Sequence, residues 1–481
     1  MNHKLPIALF CSLLMLQAAL PQTSSTVGAR LTAAVQKLEA DSSMRHAILG
    51  FYVADAATGA VVFERNAQVG LAPASCQKLF TSVAALDILQ PDYRYITRLG
   101  YDGKIEGGVL HGNFHLIGSG DPTLGSWRYD STKEGVVLSR FARAVRNAGI
   151  QKYTGNLLVD DGRWGTDVLP RGWIWEDIGN YYGAGAWGFN WHENQYDIRL
   201  RPGTAVGDPL AIDDIGGEED VQEWINELKT GAAGSGDNAF IFLPPYSPVA
   251  FLRGTVPLQK EEMVISGSLT MPNRHAGILL QREWKKEGIV PANTGTFNGQ
   301  VNTRVEYSMM KDTMGLPVAF IGESVSPRLD SINYWFLKRS INLYGEALIK
   351  TIALEKTGIV STEKGVEMVR DFWRQRGIDP SAIHIIDGSG LSPQNRVTTN
   401  ALVKVLLYAR TRPWYAGFYQ ALPLFNGMHM KSGSVGGARS FSGYQVSADG
   451  KEYVFSIIIN NYDGSSAEAV KKLYEVLNIM K

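Results

Sequence analysis

A serine hydroxyl and a lysine amine stand three residues apart at Ser75 and Lys78, within Leu71-Ala-Pro-Ala-Ser-Cys-Gln-Lys-Leu-Phe80. Where a helix starts, that spacing is close to one turn and puts both side chains on one face. A neutral lysine there can take the Ser75 proton as the oxygen attacks a carbonyl, which is nucleophilic catalysis without histidine. The plainer reading is an N-cap serine followed by a solvent-exposed lysine. Ser308 and Lys311, and Ser361 and Lys364, share the spacing, so context must separate the three pairs.

The elements around Ser75 favour the first pair. Gly50–Arg65 reads as two apolar-rich strands joined by a tight Ala-Ala-Thr-Gly turn. After Lys78, the residues Leu79, Phe80, Val83, Ala84 and Leu86 recur at helical spacing, which predicts a buried helix. Burial and a nearby cation both push a lysine toward its neutral, basic form. The other two pairs lie in charged or irregular stretches and read as surface residues. Cys76 has no histidine or asparagine placed to activate it and reads as a small packing group.

Acyl transfer from an amide needs more than a nucleophile and a base. A proton must reach the leaving amine, the substrate amide must be held, and a cation must meet any carboxylate. Lys-Ser/Thr-Gly occurs at Lys229–Gly231, Lys356–Gly358 and Lys431–Gly433. The third precedes two strand-like runs, Ser440–Val446 and Tyr453–Asn460, and a helix over about 467–480, so Lys431 opens the edge of an antiparallel sheet. Lys229, in a Gly-rich loop, and Lys356, after a helix end, read as turn residues. Ser-x-Asn occurs at Ser331/Asn333 and Ser340/Asn342. The second pair leads into an amphipathic helix with Ser340 in a cap-like place, and is preferred.

Composition narrows the class. The 481 residues carry 47 basic and 47 acidic side chains, which argues against nucleic acid and against electrostatic membrane anchoring. A 44% hydrophobic content can fill the cores of two or three domains. The eight histidines are scattered without metal-ligand spacing, so no metal or other cofactor is expected. There is no Gly-x-Ser-x-Gly elbow. Residues 1–22 read as a signal peptide: Lys4, an apolar Ile7–Leu16, and small residues at Ala18 and Ala19. Phe10 before Cys11 is too bulky for lipoprotein processing. No later run is suited to a transmembrane anchor, so an exported chain is expected.

With Gly118-Ser-Gly-Asp-Pro-Thr-Leu124, Gly155–Asp161, Trp173-x-Trp-Glu-Asp177 and Asp387-Gly-Ser-Gly-Leu-Ser392, the ordered motifs resemble the class C low-molecular-mass penicillin-binding proteins, a D-alanyl-D-alanine carboxypeptidase/endopeptidase family. The resemblance implies an α+β fold like that of serine β-lactamases and penicillin-binding transpeptidases, with an antiparallel sheet flanked by helices. The 265-residue separation of Ser75 from Ser340 implies a peptidase core from 26–95 and 295–481 around a large insertion, 96–294.

The same resemblance implies catalytic roles for Ser75, Lys78, Ser340, Asn342 and Lys431. Ser432, Gly433, Ser434, Asp177 and Ser389 would bind substrate, and Asp177 would meet the free amine of a diaminopimelate side chain. Pro393 stands where many relatives carry an arginine, which removes a carboxylate-binding guanidinium. Expected partners are peptidoglycan stem peptides and inhibitory β-lactams, in the periplasm. Two alternatives stay open: a non-catalytic peptidoglycan-binding protein, and a β-lactamase. The second lacks a Glu-x-x-Leu-Asn string to activate water.

Overall fold

The computed structural model describes residues 26–217, 220–259, 262–292, 302–304 and 318–481. The expected signal segment, the Ser308/Lys311 pair and the expected boundary near residue 295 lie outside the described residues.

Alternation in the strand Ile48–Asp55 sets the central architecture. Successive side chains point to opposite faces of a strand, and here both sets are apolar, so the strand needs a layer on each side. Phe51 and Val53 pack with Leu31 and Val35 of the helix Val27–Glu39 and Leu473 and Leu477 of the helix Ser466–Leu477. Tyr52 and Ala54 face the opposite layer, with Phe80 and Val83 of the helix Lys78–Ile88 and Leu402 and Leu406 of the helix Thr399–Arg410. The strand lies second from one edge of a six-stranded antiparallel sheet. Its order is Val61–Arg65, Ile48–Asp55, Glu452–Asn460, Ala438–Val446, Met428–Val435 and Leu424–Phe425. The expected hairpins therefore form, and this sheet is flanked by helices. Only His429 and Met428 of Met428–Val435 meet the short last strand, so Lys431 onward runs along an open edge.

Between the two parts of this sheet the described residues build four further sheets of three to five strands and two smaller cores, one around Phe114, Phe141 and Trp284, the other around Ile198, Leu252 and Ile265. The strand Ala319–Val325, beyond the expected insertion, pairs with Ile96–Tyr101 in one of them. Lys229–Gly231 forms a strand there against Thr255–Pro257 rather than a turn, because its backbone is paired within a sheet. Lys356 lies inside the last turn of the helix Asn342–Thr357 rather than after it. No helix among the described residues is long and apolar enough to cross a membrane.

Candidate active site

Ser75 lies in a single 3₁₀ turn, Ala74–Gln77, and the α-helix proper begins at Lys78. The turn is held in an uncommon shape. Ala74 has φ +46°, which costs a residue with a Cβ unless its surroundings enforce it. Two neighbours do so. Gly390, at φ +84°, packs on the Ala74 carbonyl where a Cβ would fall 2.1 Å from the oxygen. Gly433 of the edge strand approaches so closely that a Cβ would sit 2.4 Å from the Pro73 oxygen and 3.0 Å from the Ser75 nitrogen. Ser440 Oγ donates to the Pro73 carbonyl (2.6 Å), and the Cys76 thiol donates to the Lys431 carbonyl (3.2 Å). Cys76 is fully buried, which pushes its thiol up, as expected of a packing group.

Lys78 is fully buried; its Nζ donates to Asn342 Oδ1 (2.6 Å) and the Ser389 carbonyl (2.8 Å) and lies in hydrogen-bond contact with Ser75 Oγ (2.9 Å). Burial is the first cause holding this amine well below the ordinary lysine value, and the Lys431 charge is the second. A neutral amine has two N–H groups and one lone pair. The two carbonyl-type oxygens take the N–H groups, which leaves the lone pair for the Ser75 O–H. Lys431 is buried too, donates to the Ser432 carbonyl (2.8 Å), and is pushed down to about 8 by burial.

Asn342 opens the helix Asn342–Thr357, and its Nδ2 donates to the Tyr182 carbonyl (2.7 Å). Ser340 is not the cap of that helix; Ile341 is, and Ser340 turns the chain with φ +57°. The other Ser-x-Asn pair is structural: Ser331 is exposed and Asn333 accepts from Ser82 Oγ (2.6 Å). Ser361 caps the helix Thr362–Arg374, so its spacing to Lys364 is a capping signature.

Ser75, Ser340, Asn342, Asp177 and Ser434 line one cleft of about 470 Å³. Ser432 is half-buried beside Gly433 on the edge strand. Asp177 shares a hydrogen bond with the Tyr182 hydroxyl, and burial pushes its carboxyl up to about 6. Ser389 differs from expectation. It is fully buried and does not line the cleft, and its carbonyl accepts from Lys78, so it props the lysine.

Two supporting roles were not assigned from the sequence. Buried Asp387 accepts from Gln77 Nε2 (2.7 Å), Trp173 Nε1 (3.0 Å), Gly390 N (2.8 Å) and Ser392 N (2.7 Å). It ties the nucleophile's turn, the loop after it and Trp173 to one carboxylate. Glu346, fully buried, accepts from Gly388 N (2.9 Å), and burial with the Asp387 charge pushes it up to about 8. A lone glutamate in the otherwise uncharged run Leu343–Ile349, four residues after Asn342, is the signal that could have found it.

The model of the D-Ala-D-Ala carboxypeptidase 3 (S13) family matches residues 31–478. The chain is 28% identical over 492 residues to a D-alanyl-D-alanine carboxypeptidase of Actinomadura sp. (strain R39), covering 95% of this chain and 86% of that one. It is 24% identical over 445 residues to D-alanyl-D-alanine carboxypeptidase DacB of Haemophilus influenzae, covering 88% of each. Penicillin-binding protein 4 from Haemophilus influenzae superposes with a TM-score of 0.77 at 20% identity, over 93% of this chain and 98% of that one. That likeness establishes the shared fold.

Proposed function

This chain belongs to the D-Ala-D-Ala carboxypeptidase 3 (S13) family, and on that premise we propose that it is a serine peptidase cleaving D-alanyl-D-alanine through a Ser75 acyl-enzyme. The observation that carries the reading is the hydrogen-bonding of Lys78, which leaves a lone pair directed to Ser75. The Ser75 proton passes to Lys78 as Oγ bonds to the penultimate carbonyl carbon. Backbone N–H groups of Ser75 and Ser434 receive the developing oxyanion, aided by the helix start at Lys78. The C–N bond then breaks, Ser340 relays the proton to the leaving amine, and terminal D-alanine departs. Asn342 holds the substrate amide, and Lys431 with Ser432 meets the terminal carboxylate. Water completes the hydrolysis.

A stem peptide of peptidoglycan is the substrate this chemistry suits, in terminal or cross-linked form. A relative's structure contains a bound β-lactam, and a β-lactam would acylate Ser75 here in the same way as the dipeptide. A cell-wall substrate requires export, in keeping with the first 22 residues. We assign the accessory unit to residues 96–294 together with the strand Ala319–Val325 that completes its sheet. An intact Ser75–Lys78 pair disfavours a binding-only role. The test is D-alanine release from a synthetic peptide ending in D-alanyl-D-alanine. Release that requires Ser75 supports the reading, and folded wild type that releases none overturns it.

A further inference from the structure

We propose that a row of outward-facing apolar side chains, running from Ile225 through Phe251 and Phe242 to Trp175, is a docking surface for a sugar ring carried on the substrate peptide. The proposal rests on the peptidase reading and extends it from the stem peptide to the glycan that bears it.

The row follows from strand geometry. Side chains of the strand Asn238–Phe242 alternate between two faces, and Ile241 is buried in the small core with Leu252. Phe240 and Phe242 therefore point the other way, where a sheet with one wet face ordinarily carries polar residues. Register supplies their neighbours on that outer face. Phe242 pairs with Phe251 of the strand Val249–Pro257, Phe251 with Ile225 of the strand Glu223–Asn226, and Phe240 with Arg253. An apolar side chain from each of these strands thus falls in line, over about 10 Å at the usual strand spacing. Trp175 prolongs the line, its ring centre 5.7 Å from that of Phe242. Trp175 is 45% exposed and Phe240 37%. Neighbouring exposed aromatics on one face mark a contact surface.

The row is fixed before anything binds. Gly179, directly after the helix Trp175–Ile178, presses on the strand so closely that a Cβ would fall 2.0 Å from the Ile241 oxygen, and Asn180 Oδ1 accepts from Ile241 N (3.2 Å). The Arg253 guanidinium lies 5.3 Å from the ring centre of Phe242 and 5.0 Å from that of Phe251. Position then names the occupant. Ile174 and Tyr181, on either side of Trp175 in sequence, line the cleft that holds Ser75, so the row continues the site. A stem peptide held at Ser75 by its C-terminal end leaves the cleft at about 3.3–3.6 Å per residue, and its N-terminus carries a sugar. A pyranose offers C–H groups on its face, which suit the negative face of an aromatic ring, and hydroxyls on its rim, which suit the guanidinium. So narrow a row falls well short of the roughly 20–30 residues a side of a stable protein interface.

Calorimetric titration of Ser75→Ala, which cannot form the acyl-enzyme, tests this with two ligands. One is an N-acetylated stem pentapeptide ending in D-alanyl-D-alanine. The other is the same pentapeptide joined at its N-terminus to an N-acetylglucosamine–N-acetylmuramic acid disaccharide. The glycosylated ligand should bind about fivefold or more tighter. Adding Trp175→Ala or Phe240→Ala should bring the two Kd values together. Adding Phe320→Ala, which removes an exposed aromatic on the strand Ala319–Val325 outside the row, should leave them apart. Equal Kd values, or binding of neither ligand, would overturn the proposal. So would a difference that survives in either folded row variant or vanishes with Phe320→Ala. A dimer in sedimentation that Trp175→Ala dissolves would give the face to a second copy, and would overturn it too. Benzylpenicillin acylation of the wild type keeps the two claims apart. Acylation with equal Kd values defeats the sugar row alone, whereas a folded wild type that is not acylated defeats the peptidase reading, and the Kd values still decide the row.

Discussion

Lys78 Nζ meets Asn342 Oδ1 at 2.6 Å across 264 residues of sequence. That contact joins the helix that begins at Lys78 to the helix that follows Ser340. It also takes one of the two N–H groups a neutral lysine possesses, and the Ser389 carbonyl takes the other.

Acylation should therefore follow a bell-shaped pH profile. Lys78 must be neutral, so the rate rises as its proton leaves, and burial beside Lys431 places that limb well below the ordinary lysine value of 10.5. Lys431 must be cationic to meet a carboxylate, so the rate falls as pH passes about 8. Second-order acylation by benzylpenicillin across pH measures both limbs. A rising limb near the free lysine value would contradict the role given to Lys78. Lys78→Met should lose roughly 10²–10⁴-fold at every pH.

Gly433→Ala should disable the site from the sheet side. The new methyl would lie 2.2 Å from Ser440 Oγ and 2.4 Å from the Pro73 oxygen, and neither atom is the end of a long flexible chain. Overpacking of this kind costs about 1–3 kcal/mol. Thermal unfolding should show a lower Tm, and acylation should fall with it because Ser75 hangs from the same turn. Unchanged Tm and acylation would show that the turn is not braced there.

Glu346→Gln should flatten the pH dependence of stability. The folded-state carboxyl is raised to about 8 from 4.5. A group raised in this way contributes stability that is fully present below its unfolded value and is lost as pH rises through the folded one. Between pH 4.5 and 8 the wild-type Tm should fall relative to the Gln variant, whose amide keeps an acceptor for Gly388 N but has no proton to lose. Parallel Tm curves would remove Glu346 from the pH response.

Local chemistry was readable in the sequence wherever it sits on one element. Ser75 and Lys78 share a turn, and the Lys431 strand announces itself by apolar alternation and a following hairpin. Asp387 and Asp177 stood out through family strings, not through periodicity. Contacts between distant segments leave no spacing to read. Nothing in the sequence joins Arg128 to Glu193, or Gln77 to Asp387, because 65 and 310 residues separate those partners and only the tertiary fold brings them together. Ser340 was misread as a cap because capping residues and left-handed turn residues are drawn from the same small polar set. The burial of Ser389 was not legible because a string fixes neighbours in sequence, whereas its depth and the contact of its carbonyl with Lys78 are set by the tertiary fold.

The central claim is that Ser75 is the nucleophile of an acyl-transfer site. Intact mass after incubation with benzylpenicillin, on wild type and on Ser75→Ala, tests it most directly. The account predicts one penicilloyl adduct on the wild type and none on the variant. An adduct that persists on folded Ser75→Ala, or a folded wild type that takes up none, would contradict it.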